Sequence, residues 1–279
     1  GYVTSIVEEK SATQQQKQIK EINSGIYCFN LKTLWQALSK VKNDNSKKEY
    51  YLTDVISVLN KSGYRTDAVM LADKEEILGV NDRKQLAYAD KVLRNRKLDE
   101  LMSNGVTIRD PQTSFIDSDV IVGQDSVIMP GTFIEGKTQI GRNCIVGPDS
   151  FIADSEIGDN AVIKYSYVDG AKIGNDVKIG PFAHIRPETV LKEKVKVGNF
   201  SEIKKSTIGK DSKVNHLSYI GDAQIGQNVN IGAGTITCNY DGVKKHKTLI
   251  GDNVFVGSNV NLVAPVKIGR QVLIAAGST

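Results

Sequence analysis

One pattern constrains this chain more than any other. From Ile116 onward an aliphatic side chain returns every six residues, occasionally every five. The series opens Ile116, Val122, Ile128, Ile134, Ile140, Val146, Ile152, Ile157, Ile163, Val168, Ile173, Ile179 and Ile185. It continues Leu191, Val197, Ile203, Ile208, Val214, Ile220, Ile225 and Ile231, breaks once, and resumes at Ile250, Val256, Leu262, Ile268 and Ile274. Glycine often follows, as at Gly123, Gly141, Gly158, Gly174, Gly209 and Gly226. Neither a helical period of about 3.6 nor a strand period of about 2 gives this spacing. A six-residue repeat is the mark of a parallel β-helix in which three hexapeptides close one triangular coil. The 26 aliphatic positions therefore predict eight to nine coils. Aromatic residues are only 6% of the chain, and glycines number 25. A narrow prism lined by aliphatics has no room for rings.

Of 279 residues, 36 are Lys or Arg and 32 are Asp or Glu, giving a net charge of +4. The charge is uneven. Residues 101–179 hold 6 basic and 11 acidic side chains, whereas residues 180–250 hold 11 and 6. A basic belt without interleaved aromatics points to a local anion site rather than a nucleic-acid surface. No apolar run approaches the ~20 residues of a membrane span, and no signal peptide is visible. Cys28, Cys144 and Cys238 are far apart and odd in number, which predicts a reducing cytoplasm and neither a disulfide framework nor a zinc knuckle. His184, His216 and His246 include no close pair for a shared zinc.

Residues 1–81 read as mixed α/β. Val3–Glu8, Gly25–Phe29 and Arg65–Leu71 have strand character, and Leu31, Leu34, Trp35, Leu38 and Val41 fall at helical spacing. Thr53 or Asp54 can cap a helix through Leu59 that stops near Gly63, and Lys74–Leu78 predicts a short helix. Residues 82–105 read as a linker helix capped at Asn81–Asp82 and ended by Asn104–Gly105, with Leu86, Ala89, Leu93 and Met102 toward one side. Residues 106–279 form the repeat domain. The chain opens at Gly1 inside a strand-like run and stops at Thr279 inside a repeat, which predicts a fragment cut at both ends.

Coils stack at about 4.8 Å, so one slot in successive coils forms a column. Ile179, Val197, Val214 and Ile231 share one face by this arithmetic, and Ile185, Ile203, Ile220 and Ile250 the next. Arg186 then stacks on Lys204, beside a column of His184, Glu202 and Tyr219. Two cations one rung apart make a phosphate clamp and repel each other unless an anion sits there. The break between Ile231 and Ile250 is an insertion, Gly232–Leu249, leaving the same corner. Loops extruded from rigid scaffolds carry function. His216 takes an outward slot on the adjacent face and is the best candidate general base. Ser258 and Ala276 share a slot that the arithmetic assigns to the third face, away from the clamp; joining the two sets then needs neighbouring chains.

At these residues the sequence resembles the bacterial bifunctional N-acetylglucosamine-1-phosphate uridylyltransferase / glucosamine-1-phosphate N-acetyltransferases. The matching stretches are Arg186-Pro187, Val197–Phe200, Glu202–Lys205, His216–Asp222, Asn230–Gly242, Phe255–Ser258 and Leu262–Pro265. In the first part Ile6–Glu8, Glu21–Ile26, Glu49–Asp54 and Gly79–Asn81 are similar to the later portion of that family's pyrophosphorylase domain. The resemblance implies part of an α/β nucleotidyltransferase domain followed by a left-handed parallel β-helix, assembled as a homotrimer. It implies acetyl transfer from acetyl-CoA to glucosamine-1-phosphate. His216 is then the base assisted by Glu202; Arg186, Lys204, Tyr219, Asn230 and Lys245 hold the sugar phosphate. Ala233, Asn239, Tyr240, Ser258 and Ala276 meet acetyl-CoA, and the Gly232–Ala233 amides or Ser258 steady the oxyanion. Glu8, Asn23 and Asn81 are the surviving matches for UDP-N-acetylglucosamine, with Asn81 also a magnesium ligand. The family's N-terminal Gly-rich loop, its nucleotide lysine and its C-terminal arm have no counterpart in these 279 residues. The expectation is an inactive uridylyl half, which would use UTP and Mg²⁺, and a weakened acetyl site. Three other readings stand: a nucleotidyltransferase with a regulatory β-helix, a non-catalytic scaffold, and an acyltransferase using a long acyl donor.

Overall fold

The computed structural model describes residues 2–43 and 48–279, in two units, Gly1–Gln85 and Leu86–Thr279. In the first, α1 (Leu31–Leu38) starts where Asn30 Oδ1 accepts the N–H groups of Lys32 and Thr33 at 3.1 and 3.3 Å. It packs Ala37, with Phe29, Leu34, Leu38 and Val41, on Val55 and Leu59 of α2 (Asp54–Lys61). Lys74–Ile77 is a 3₁₀ turn. The three strands expected here do not form. What remains is one antiparallel bridge, Tyr2 with Asp67, fastened by Asn60 Nδ2 donating to Val3 O at 2.7 Å. A pairing without further neighbouring strands is marginal. Trp35 points outward, 65% exposed.

The second unit contains most of α3 (Arg83–Ser103). Its buried residues are Val92, Leu98 and Leu101, not the expected face: Leu86 and Leu93 are exposed. The reason is local. Leu98 and Leu101 join Val106, Ile108 and Ile116 in the core, plugging the open first coil, a demand that no period within the helix encodes. Gly105, at φ +89°, ends it.

Beyond α3 the chain winds as a left-handed parallel β-solenoid of about nine turns. Three parallel sheets of 10, 9 and 9 strands form its faces. The first face runs from Thr107–Ile108 to Leu273–Ile274, the second from Phe115–Ile116 to Asn261–Val263, and the third from Ile121–Val122 to Val266–Ile268. All strands but one, Ile236–Cys238, turn an aliphatic inward, and no aromatic is buried in this core among the described residues. Rings instead stack outside: Phe115 on Phe133 and Phe151 on Tyr167, both at 4.5 Å between centroids. At the corners the chain takes left-handed φ values, mostly at Asn and Asp, such as Asn143, Asp176, Asp211 and Asn228.

Register corrects the arithmetic in one place. Ile250 belongs to the third face, paired with Ile225 and Ile268. The second-face slot after Ile220 is filled by Thr237, fully buried. Its hydroxyl accepts from Gly221 N at 2.7 Å, which satisfies a polar group inside the prism. The repeat is therefore unbroken to Cys238, and the insertion shrinks to the segment between Cys238 and Thr248.

Candidate functional site

The strand Lys213–His216 runs on past its inward Val214 and pairs with Lys196–Asn199, setting Asn199 opposite His216. His216 Nδ1 lies 2.8 Å from Asn199 Oδ1. With that oxygen accepting, Nδ1 carries the ring proton and Nε2 keeps its lone pair, the arrangement of a base. The column continues upward. The carbonyls of Asn199, His216, Ala233 and Ser258 each accept the amide of the next rung, from Leu217, Gly234, Asn259 and Gly277. Since Val256 pairs with Ile274, Ala276 stands beyond Ser258. Ser258 and Ala276 are thus not on the third face. They share the column of His216 and Ala233 at the corner between the first and second faces, and the argument for neighbouring chains from that slot falls.

Across the second face from this corner, at the far ends of the strands His184–Ile185 and Glu202–Lys204, lies the cation cluster. His184 pairs with Glu202 and Ile185 with Ile203, which brings Arg186 beside Lys204 as the stacking predicts. Arg186 Nη1 donates to Glu202 Oε1 at 2.7 Å; Glu202 is engaged with Arg186, while His216 is held by Asn199. Lys245 of the loop, and then the Arg186 charge, push the Lys204 ammonium below the usual lysine range, against the pull of Asp222. Three cations meeting here call for an anion. Tyr219 leads the next second-face strand, and Asn230 extends a first-face column of Lys178, Lys196 and Lys213. Lys204→Ala should weaken binding of a phosphate-bearing ligand at this cluster about 10- to 150-fold, the worth of one charge-assisted hydrogen bond. Titration calorimetry checks it, and an unchanged affinity would remove the cluster as the anion site.

The loop is a small built object. Tyr240 and Lys245 form an antiparallel bridge, and Tyr240 Oη donates to Gly242 O at 2.6 Å. Asp241 Oδ1 accepts the N–H groups of Val243 and Lys244 at 2.8 and 2.6 Å, and Oδ2 lies 2.7 Å from His246 Nε2. The Lys244 N–H, then His246, then the Val243 N–H hold this carboxyl well below the usual carboxylate range. Asn239 is buried, its Nδ2 donating to Asp222 Oδ2 at 2.6 Å. Asn199, Asp222 and Asp241 were not found by sequence reasoning. For Asn199 the signal was present: it precedes His216 by 17 residues, one coil.

In the first unit Glu8, Asn23 and Asn81 are all exposed. Asn23 Nδ2 donates to Tyr27 Oη at 2.6 Å, and Asn81 N donates to Gln85 Oε1 at 2.6 Å. Among the described residues no group of three or more His, Cys, Asp or Glu side chains gathers to hold a metal. Asn81 alone, a neutral amide, does not make a magnesium site. His184 meets Tyr167 edge-on at 5.2 Å. The three cysteines are free, and burial pushes the Cys144 thiol up. No helix among the described residues is long and apolar enough to cross a membrane.

The fold and this corner define a hexapeptide-repeat β-solenoid with a basic site. The family description "Bacterial transferase hexapeptide (six repeats)" matches residues 119–154 and 247–279, and "GMPPB C-terminal domain" matches residues 168–262. The chain is 56% identical over all 279 residues to the "Bifunctional protein GlmU" of Caldanaerobacter subterraneus subsp. tengcongensis, covering 61% of that protein. It is 54% identical, again over its full length, to that of Carboxydothermus hydrogenoformans, covering 63%. Along its whole length the chain belongs to the GlmU family, of whose curated members it spans about three-fifths. Among solved structures, the Francisella novicida UDP-N-acetylglucosamine acyltransferase is 17% identical, with 61% of each chain covered and a TM-score of 0.36, too distant to add to the fold already described.

Proposed function

We propose that the solenoid transfers the acetyl group of acetyl-CoA to the amine of glucosamine-1-phosphate, giving N-acetylglucosamine-1-phosphate. One observation carries this: an imidazole with Nδ1 tied to Asn199 and Nε2 free, at one edge of the face whose other edge carries Arg186 and Lys204, with Lys245 of the loop beside them. The cluster, with Tyr219 and Asn230, binds the phosphate and orients the sugar. An amine attacks a thioester only when neutral. His216 Nε2 takes a proton from the amine as the N–C bond forms, and the backbone N–H groups near Gly232–Ala233, or Ser258, steady the oxyanion. The intermediate collapses, the C–S bond breaks, and the thiolate leaves, taking the proton back from His216. Glu202 contributes by fixing Arg186. Asn239 and Tyr240, with Ala233, Ser258 and Ala276 along the column, line the path of acetyl-CoA. The assay is release of free thiol from acetyl-CoA with glucosamine-1-phosphate as acceptor, run against longer acyl donors. No thiol release above background would overturn the reading.

The same reading takes the first unit as the remainder of a uridylyltransferase domain, with Glu8, Asn23 and Asn81 toward UDP-N-acetylglucosamine. It takes the chain as a cytoplasmic homotrimer. Tyr165, Phe182, Phe200 and Leu217 support the trimer. They form an outward ridge one rung apart, 41–63% exposed, each at a left-handed φ that bulky residues rarely adopt, running up to His216. A ridge of this kind is a surface to be covered. Phe200→Asp should shift sedimentation from trimer to monomer; an unchanged sedimentation coefficient would reject the ridge as the interface.

A further inference from the structure

Most glycines of the solenoid are explained by the backbone. At Gly123, Gly209 and Gly232, a β-carbon would run into the main chain of the next rung. Gly221 differs. Its φ is not left-handed, and the three atoms nearest an added β-carbon are all side-chain atoms of two residues of the candidate site. They are Tyr219 Oη at 2.5 Å, Asn239 Nδ2 at 2.7 Å and Tyr219 Cζ at 2.8 Å. Neither backbone conformation nor coil stacking requires glycine here; the Tyr219 ring does. Register adds the location. Gly221 is paired with Lys204, one rung above it, and Arg186 is one rung below Lys204. The side chain that would stand above Lys204 is missing, and the Tyr219 phenol leans along its own strand into that space, against the Asn239 amide. Asn239 cannot retreat freely, because it is buried and bound to Asp222, the residue after Gly221.

We infer that Gly221 is a positioning residue for the sugar-phosphate pocket, whose missing side chain lets Tyr219 place its hydroxyl in the Arg186–Lys204 column. The inference rests on the acetyl-transfer reading above. A phenol is the far end of a flexible side chain, so a methyl group at position 221 displaces the ring and leaves the coil intact. The hydroxyl, a donor to a phosphate or sugar oxygen when correctly placed, then leaves the column.

The test is a double-mutant cycle on binding of glucosamine-1-phosphate by calorimetry, with Gly221→Ala, Tyr219→Ala and the pair. Gly221→Ala should weaken binding about tenfold with only a small fall in melting temperature, and should raise KM for the sugar phosphate more than it lowers kcat. In the Tyr219→Ala background the ring clash is gone and only the contact with Asn239 Nδ2 remains, so the same substitution should cost clearly less affinity than it does in the wild type. Independent, multiplying losses would overturn the inference, as would wild-type affinity in Gly221→Ala. If Gly221→Ala alone does not fold, the pair should be the more stable of the two, since one of the two crowding side chains is gone; a pair no more stable than Gly221→Ala would overturn the inference. If the wild-type chain binds no glucosamine-1-phosphate, it is the acetyl-transfer reading that fails. The ring position in a crystal structure of Gly221→Ala still decides the role of Gly221: a Tyr219 phenol left in place overturns it.

Discussion

His216→Ala should slow thiol release from acetyl-CoA with glucosamine-1-phosphate by about 10²–10⁴-fold, the usual contribution of a positioned general base. The argument runs from geometry. Nδ1 is committed to Asn199 at 2.8 Å, so the ring presents Nε2 and no other acceptor. The cluster proposed to anchor the phosphate is made of different side chains, on the second face and the loop. Binding of the sugar phosphate should therefore stay within a few-fold of wild type while kcat falls. Asn199→Ala offers a graded comparison. It keeps the imidazole and removes what fixes its tautomer and orientation, so the loss should be smaller and confined to kcat. A wild-type rate in His216→Ala would remove His216 as the base. A rise in KM with kcat preserved would make it a binding residue instead.

The solenoid was legible because its rule is one-dimensional. Each rung repeats the same inward slot, and an aliphatic at that slot says where every neighbour stands. The Arg186–Lys204 contact followed from that spacing alone. The rule failed where a rung obeyed the geometry with a different residue. Thr237 sits inward and satisfies its hydroxyl on the backbone of the rung before it, so counting aliphatics skipped it. The skip moved Ile250 one face out of place, and a separate slip in assigning faces sent Ser258 and Ala276 to the third face. A partner fixed by one side-chain bond outside the coil register, such as Asp222 for Asn239, leaves no periodic trace. In α3 the buried residues are chosen by the open end of the prism, not by an amphipathic repeat. In the first unit, strand-like stretches such as Gly25–Phe29 meet no partner among the described residues, and a strand pattern without a partner gives no sheet.

Ile203→Ala should destabilise the solenoid by about 2–5 kcal/mol, in the upper part of that range. Ile203 is fully buried, between Ile185 below and Ile220 above, both fully buried as well. A cavity costs less where neighbours can move into it. Here they cannot. Ile185, Ile203 and Ile220 each belong to a strand paired on both sides, and a shift large enough to fill the hole would slip a register that also sets every outward residue. Those outward residues matter in this case: Ile203 lies between Glu202 and Lys204 on its strand, so slack in the rung loosens the Arg186–Glu202 bond and the cation column together. Repeats contact only their neighbours, so the damage is local to these coils, and sugar-phosphate affinity should fall along with stability. Ile203→Val, which removes one methyl group, should cost about 0.5–1.5 kcal/mol and leave binding nearly intact. Urea unfolding of the two variants measures this. A loss below about 1 kcal/mol for Ile203→Ala would mean that the prism can collapse around the missing side chain, and that rigidity of the core is not what holds the site in register.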